Sequence, residues 1–132
     1  MPLLISSTLP EDTEMVLSRV IGCALTVHRE LGPGYLESIY AAALAVELSA
    51  NRLPFERERA VSVNYRGTLI PGQRVDFIVA NSVIVEIKSV ARLDPIFQAK
   101  VISYLKTTGL RAGLLINFNT ALLKEGLKRI VL

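Results

Sequence analysis

RVDFIVANSVIVEIKSV, Arg74–Val90, places Asp76, Glu86 and Lys88 in an otherwise mostly apolar stretch. Two β-branched-rich runs flank Ala80-Asn81-Ser82, a pattern that predicts two antiparallel strands joined by a tight connection. Side chains alternate along a strand, so Glu86 and Lys88 are expected to share a face with Ile84 and Val90, and Val85 and Ile87 to take the other. Asp76 is expected on its strand's face with Arg74 and Ile78. A loop centred on Asn81 sets position 76 opposite 86, whereas a slip of one residue would send it to the other face. The centred register is the one expected here.

Two facing carboxylates repel, which destabilises a strand pair by a few tenths of a kcal/mol or more unless a cation sits between them. A hard divalent ion that takes oxygen ligands and keeps several waters suits two carboxylates at a partly open site. Lys88, two residues beyond Glu86, could hold an attacking water or neutralise charge building on a phosphate. The same spacing also suits the solvated face of an amphipathic hairpin, in which Arg74, Asp76, Glu86 and Lys88 make cross-strand ion pairs of little value.

The composition narrows the alternatives. The chain has 132 residues and is 51% hydrophobic, enough for one domain to bury a core without disulfides or a structural metal. Its expected organisation is a tail over 1–10 and a single domain over 11–132. No apolar run approaches the roughly 20 residues of a membrane helix, and MPLLISSTLPED lacks the basic start of a secretory signal. A cytoplasmic location without membrane association is therefore expected. One cysteine, Cys23, and one histidine, His28, exclude a zinc site built from several such ligands. Cys23 lies in an apolar helical run and reads as core, and His28 reads as a polar group near a helix end. The formal charge of +3 permits a polyanionic partner without requiring one. Lys88, Arg92, Lys100, Lys106, Arg111, Lys124, Lys128 and Arg129 make the C-terminal half basic, as suits either a phosphate-facing side or a merely solvated surface.

Taken in order, Pro10-Glu11-Asp12 opens a helix over about 11–30, with acids in its first turn. Gly32-Pro33-Gly34 breaks it, and a second helix over about 35–51 carries Glu37, Ala41, Leu44 and Leu48 on one stripe. A strand is expected over 55–65, then a turn at Arg66-Gly67, an interruption at Pro71-Gly72, and the hairpin. Asp94-Pro95 starts a third helix as N-cap and first helical residue, and Gly109 ends it. Leu110–Phe118 reads as a strand covered on both faces. A short helix at Ala121–Glu125 and an edge strand at Lys128–Leu132 complete the chain.

VHRELGPGYLESIYAAALAVEL contains Gly34, Glu37 and Tyr40 at G-x-x-E-x-x-Y spacing and resembles the small bacterial and archaeal GxxExxY proteins, grouped with the PD-(D/E)XK nuclease superfamily. The likeness continues through VDFIVANSVIVEIKSV, SYLKTTGLRAGLLINF and LLKEGLKRIVL. It implies an α/β fold with a mixed sheet: a restriction-endonuclease-like α-β-β-β-α-β core, with an extra N-terminal helix and a small C-terminal helix and strand. It also implies Asp76, Glu86, Lys88 and Glu37 as catalytic residues. Mg²⁺ or Mn²⁺ would be held by Asp76, Glu86, Glu37 and the Ile87 carbonyl. Tyr104 matches a family tyrosine, while Lys100 stands where glutamine is usual. Lys100, Tyr104 and Arg92 are the expected nucleic-acid contacts.

The function expected from the resemblance is metal-dependent phosphodiester hydrolysis, on DNA in preference to RNA, with a homodimer or a protein partner supplying specificity. Two other classes compete with it. One is an inactive module of the same fold that binds nucleic acid or protein, against which an intact Asp76, Glu86 and Lys88 argues. The other is an oligomeric assembly subunit, suggested by the high apolar content.

Overall fold

The computed structural model describes residues 8–132. The chain runs through α1 (Glu11–Leu31), α2 (Glu37–Ala50), β1 (Phe55–Tyr65), β2 (Thr68–Val79), β3 (Val83–Lys88), α3 (Pro95–Thr108), β4 (Ala112–Asn117), a 3₁₀ turn (Leu123–Glu125) and β5 (Leu127–Val131). The five strands lie in sequence order in one sheet. All neighbours are antiparallel except β3 and β4, which α3 joins as a crossover. This is a mixed α/β fold containing the α-β-β-β-α-β order, with α1 before it and the 3₁₀ turn and β5 after it. Among the described residues no helix is long and apolar enough to cross a membrane.

Helices cover both faces of the sheet. Phe77, Val79, Val83, Val85, Ile87, Leu114 and Ile116 pack with α1 and α2, and buried Cys23 belongs to this cluster. Ile78, Ile84 and Leu115 pack with Val101, Tyr104 and Leu105 of α3. Burial on both faces explains why β3 and β4 are nearly continuous apolar runs. The α3 start is as expected: Asp94 Oδ1 accepts the Ile96 N–H at 2.9 Å, with Pro95 in the first turn and left-handed Gly109 closing the helix.

Three expectations change. Leu9, assigned to a tail, is buried with the α1 and α2 core, while residues 1–7 of that tail lie outside the described residues. Pro71-Gly72 does not end a strand. β2 runs through it because these two residues lie opposite the single Ser62 of β1, which shifts the register between Val61 and Val63. A bulge of this kind absorbs a proline that a regular ladder would reject.

The third change concerns alternation in β2. Gln73 bonds to Ser103 and Thr107 of α3, and Val75 packs in the α3 cluster, yet Phe77 and Val79 pack on the other face and Ile78 on the α3 face. Side-chain parity therefore switches at Asp76, so Arg74 and Ile78 do not share a face. β1 switches with it: Phe55 packs towards α1 and α2, whereas Val61 packs towards α3. The residue at the break is Glu58, with φ of 47°. One left-handed residue is what lets two paired strands exchange faces together.

Candidate active site

The β2–β3 hairpin has the centred register, with Val79 opposite Val83, Ile78 opposite Ile84 and Phe77 opposite Val85. Beyond Phe77 the strands part and two carboxylates take over the ladder. Glu86 Oε1 accepts the Asp76 N–H at 2.9 Å, and Asp76 Oδ2 accepts the Ile87 N–H at 2.8 Å. Each acid thus satisfies a main-chain donor of the other strand, which fixes both side chains without a lysine or arginine between them. Asp76 Oδ1 and Glu86 Oε2 accept no hydrogen bond from the described residues.

Burial pushes the Glu86 carboxyl up to about 7, and the Asp76 charge adds to the rise. The Asp76 N–H and the charges of Lys88 and Lys100 oppose it. Burial also raises the Asp76 carboxyl, with Glu58 adding to the rise and the Ile87 N–H, Lys88 and Arg57 opposing it. Tyr104 is raised by burial and by the charges of Glu86 and Asp76, so its hydroxyl stays protonated beside them.

Lys88 is held at the end of β3. Its Nζ lies 3.9 Å from Glu37 Oε1 and 4.7 Å from the centroid of the Phe97 ring. The ring and the carboxylate restrain a side chain that otherwise has four rotatable bonds.

The G-x-x-E-x-x-Y spacing now has a physical account. The Tyr40 hydroxyl donates to Gly32 O at 2.5 Å and accepts from the Tyr35 N–H at 3.2 Å, and its ring stacks on Phe118 at 4.6 Å. Gly34 has φ of 105°, a conformation that glycine adopts without strain. Ser89 Oγ donates to Tyr35 O, tying this turn to the end of β3. Tyr40 therefore fixes the α1–α2 turn, and the turn sets Glu37, the first residue of α2, beside Lys88.

Glu37 and Asp76 line one cavity of about 300 Å³ with Ser38, Arg57, Glu58 and Ile87. Among the described residues, however, no three Asp, Glu, His or Cys side chains converge on a point where they could hold one metal ion. Glu37 is engaged with Lys88 instead. The oxygen donors that could hold such an ion are Asp76, Glu86 and the Ile87 carbonyl. Val85 pairs with β2, whereas the Lys88 carbonyl accepts from Phe118 on the β4 side, so the alternation turns the Ile87 main chain towards Asp76. Two carboxylates and a carbonyl are a hard-oxygen set that leaves places for water, which fits Mg²⁺ or Mn²⁺.

Tyr104 is buried beneath the carboxylates, Lys100 is exposed one turn earlier on α3, and Arg92 is exposed in the β3–α3 connection. His28 bonds to the Thr120 carbonyl at 2.8 Å, away from the carboxylates. Sequence reasoning did not single out Arg57, Glu58 or Asn117. Asn117 accepts from the Val90 and Asn119 N–H groups and donates to Val90 O, clamping the chain just after Lys88. A lone polar residue ending the apolar run LRAGLLINF is the signal that could have found it.

The family model of the PD-(D/E)XK nuclease superfamily matches residues 14–130. No curated protein and no solved structure shows significant similarity to the chain. The match takes in both strands of the carboxylate hairpin, the helix that bears Glu37 and the helix that bears Tyr104, and the chain belongs to the PD-(D/E)XK nuclease superfamily.

Proposed function

We propose that the protein is a nuclease of the GxxExxY group that hydrolyses phosphodiester bonds in nucleic acid, DNA in preference to RNA, with Mg²⁺ or Mn²⁺. The observation that carries this reading is the crossed pair of hydrogen bonds that holds Asp76 and Glu86 together, with Lys88 restrained beside them. A fold that needed only stability would gain from replacing either acid by a neutral acceptor, because adjacent, desolvated like charges are costly and are maintained mostly where they are used.

Asp76, Glu86 and the Ile87 carbonyl would hold the metal. Bound there, it would supply an acidified water and charge neutralisation on the scissile phosphate. The chain's own residues do the rest. The Ile87 and Asp76 N–H groups orient the two carboxylates before substrate arrives. Lys88 Nζ lies where an ammonium can position the nucleophile or counter negative charge on a phosphate oxygen, and Glu37 helps hold it in place. Lys100 and Arg92 contribute backbone contacts, and the Tyr104 hydroxyl serves as a neutral donor. Specificity would come from a second copy, a protein partner or the structure of the nucleic acid itself.

The test is cleavage of single-stranded, duplex and branched DNA and of RNA by the full chain with Mg²⁺ or Mn²⁺, beside Asp76→Asn and Lys88→Met. Each substitution is expected to lower the rate by about two to three orders of magnitude. Cleavage that survives both refutes the site. Metal-independent binding without cleavage by the parent favours the inactive binding module.

A further inference from the structure

The break in alternation at Glu58 and Asp76 has a consequence for Arg57. In an unbroken strand, Arg57 and Arg59 would share a face. Here Arg59 lies opposite Val75, which packs towards α3, and Arg57 lies opposite Phe77, which packs towards α1 and α2. Arg59 Nη1 pairs with Glu56 at 3.2 Å, and Arg59 lines a separate hollow with Thr107 and Thr108 of α3. Arg57 is turned instead into the cavity that contains Asp76, Glu37 and Glu58.

Its guanidinium lies over the Phe77 ring, Cζ 5.3 Å from the centroid, and the ring is fully buried. Contact with a fixed ring restrains the guanidinium while leaving its N–H groups free to bond. No hydrogen bond or ion pair engages this side chain among the described residues, although three carboxylates line the same cavity. An oriented and uncommitted guanidinium beside catalytic acids is suited to an anion with two adjacent oxygens, as a phosphodiester presents.

We infer that Arg57 is a phosphate-binding residue of the active site, holding a backbone phosphate of the bound strand on the α2 side of Asp76 and Glu86. This deepens the nuclease reading and rests on it. The left-handed conformation of Glu58 serves it by turning position 57, and not 59, towards the cavity.

The experiment is equilibrium binding of fluorescein-labelled single-stranded and duplex DNA by the full chain, with Ca²⁺ in place of Mg²⁺ and probe integrity checked by electrophoresis. Salt is varied, and Arg57→Met and Arg59→Met are run alongside. Both variants lose one positive charge at an exposed position of the same strand, and thermal melts establish that each is folded. For Arg57→Met, affinity is expected to drop at least several-fold at low salt, and the slope of log affinity against log salt to shallow by about 1. Arg59→Met is expected to keep the parent slope, and Arg57→Lys to recover the slope without full affinity. If the parent binds DNA and the two methionine variants behave alike, the assignment of Arg57 is overturned while the nuclease reading stands. If the parent neither binds nor cleaves any nucleic acid, the nuclease reading fails and this inference fails with it.

Discussion

Replacing Glu86 by glutamine removes the charge that burial and Asp76 oppose while keeping an oxygen to accept the Asp76 N–H. The folded protein holds the Glu86 proton up to about pH 7, whereas the ordinary value is 4.5. Between those values folding takes up a proton, so this group's contribution to stability falls as pH rises from about 4.5 to about 7 and is flat on either side. At about 1.4 kcal/mol per pH unit, the gap corresponds to a destabilisation on the order of 3 kcal/mol above neutral pH. Glu86→Gln should therefore be more stable than the parent by about 2–3 kcal/mol at pH 8 without divalent metal, and no more stable at pH 4. Urea denaturation of both proteins between pH 4 and 9 in chelator measures the difference directly. Added Mg²⁺ or Mn²⁺ should then stabilise the parent more than the variant, since a cation between the carboxylates removes the repulsion. The reasoning is refuted if the two proteins keep the same stability difference at pH 4 and pH 8, or if the variant is the weaker at pH 8.

Two further outcomes follow from the same geometry. Tyr40→Phe keeps the stack on Phe118 but leaves Gly32 O and the Tyr35 N–H without their partner, and should cost about 1–3 kcal/mol in urea denaturation. Glu58→Gly removes a left-handed side-chain residue and a charge that opposes Asp76, so it should stabilise the metal-free protein by about 1 kcal/mol in the same assay. A destabilised Glu58→Gly would refute that net gain.

The stability gain expected at Glu58 illustrates how active sites retain unfavourable local choices. Half-buried Asp76, buried Glu86, left-handed Glu58 and the parted ends of β2 and β3 all lie within one region of the sheet. β3, β4 and α3 follow ordinary rules: continuous apolar runs in the strands covered on both faces, an aspartate cap and proline at the start of α3, and glycine at its end.

Local chemistry made much of this readable from the residues alone. Helix starts at Glu11 and Pro95, the glycine break after Leu31, the loop centred on Asn81 and the apolar run of β4 each rest on neighbours in the chain, where capping, backbone preference and side-chain period act. Asp76 facing Glu86 followed from the same loop, because register in a hairpin is set by its turn. Other features depend on contacts between distant segments. The parity switch at Glu58 and Asp76 cannot be seen in FERERAVSVNY, which reads as an unbroken alternation. It emerges only when β1 must follow β2 across two differently packed faces, and it alone decides that Arg57 and not Arg59 enters the cavity. Likewise G-x-x-E-x-x-Y marked three positions, but only the packing of Tyr40 on Phe118 and its bonds to the α1–α2 turn place Glu37 beside Lys88. The sequence determined which residues carry charge and where the strands and helices lie. The tertiary structure decided which of those charges meet, because side-chain direction and desolvation at this site are set by segments far apart in the chain.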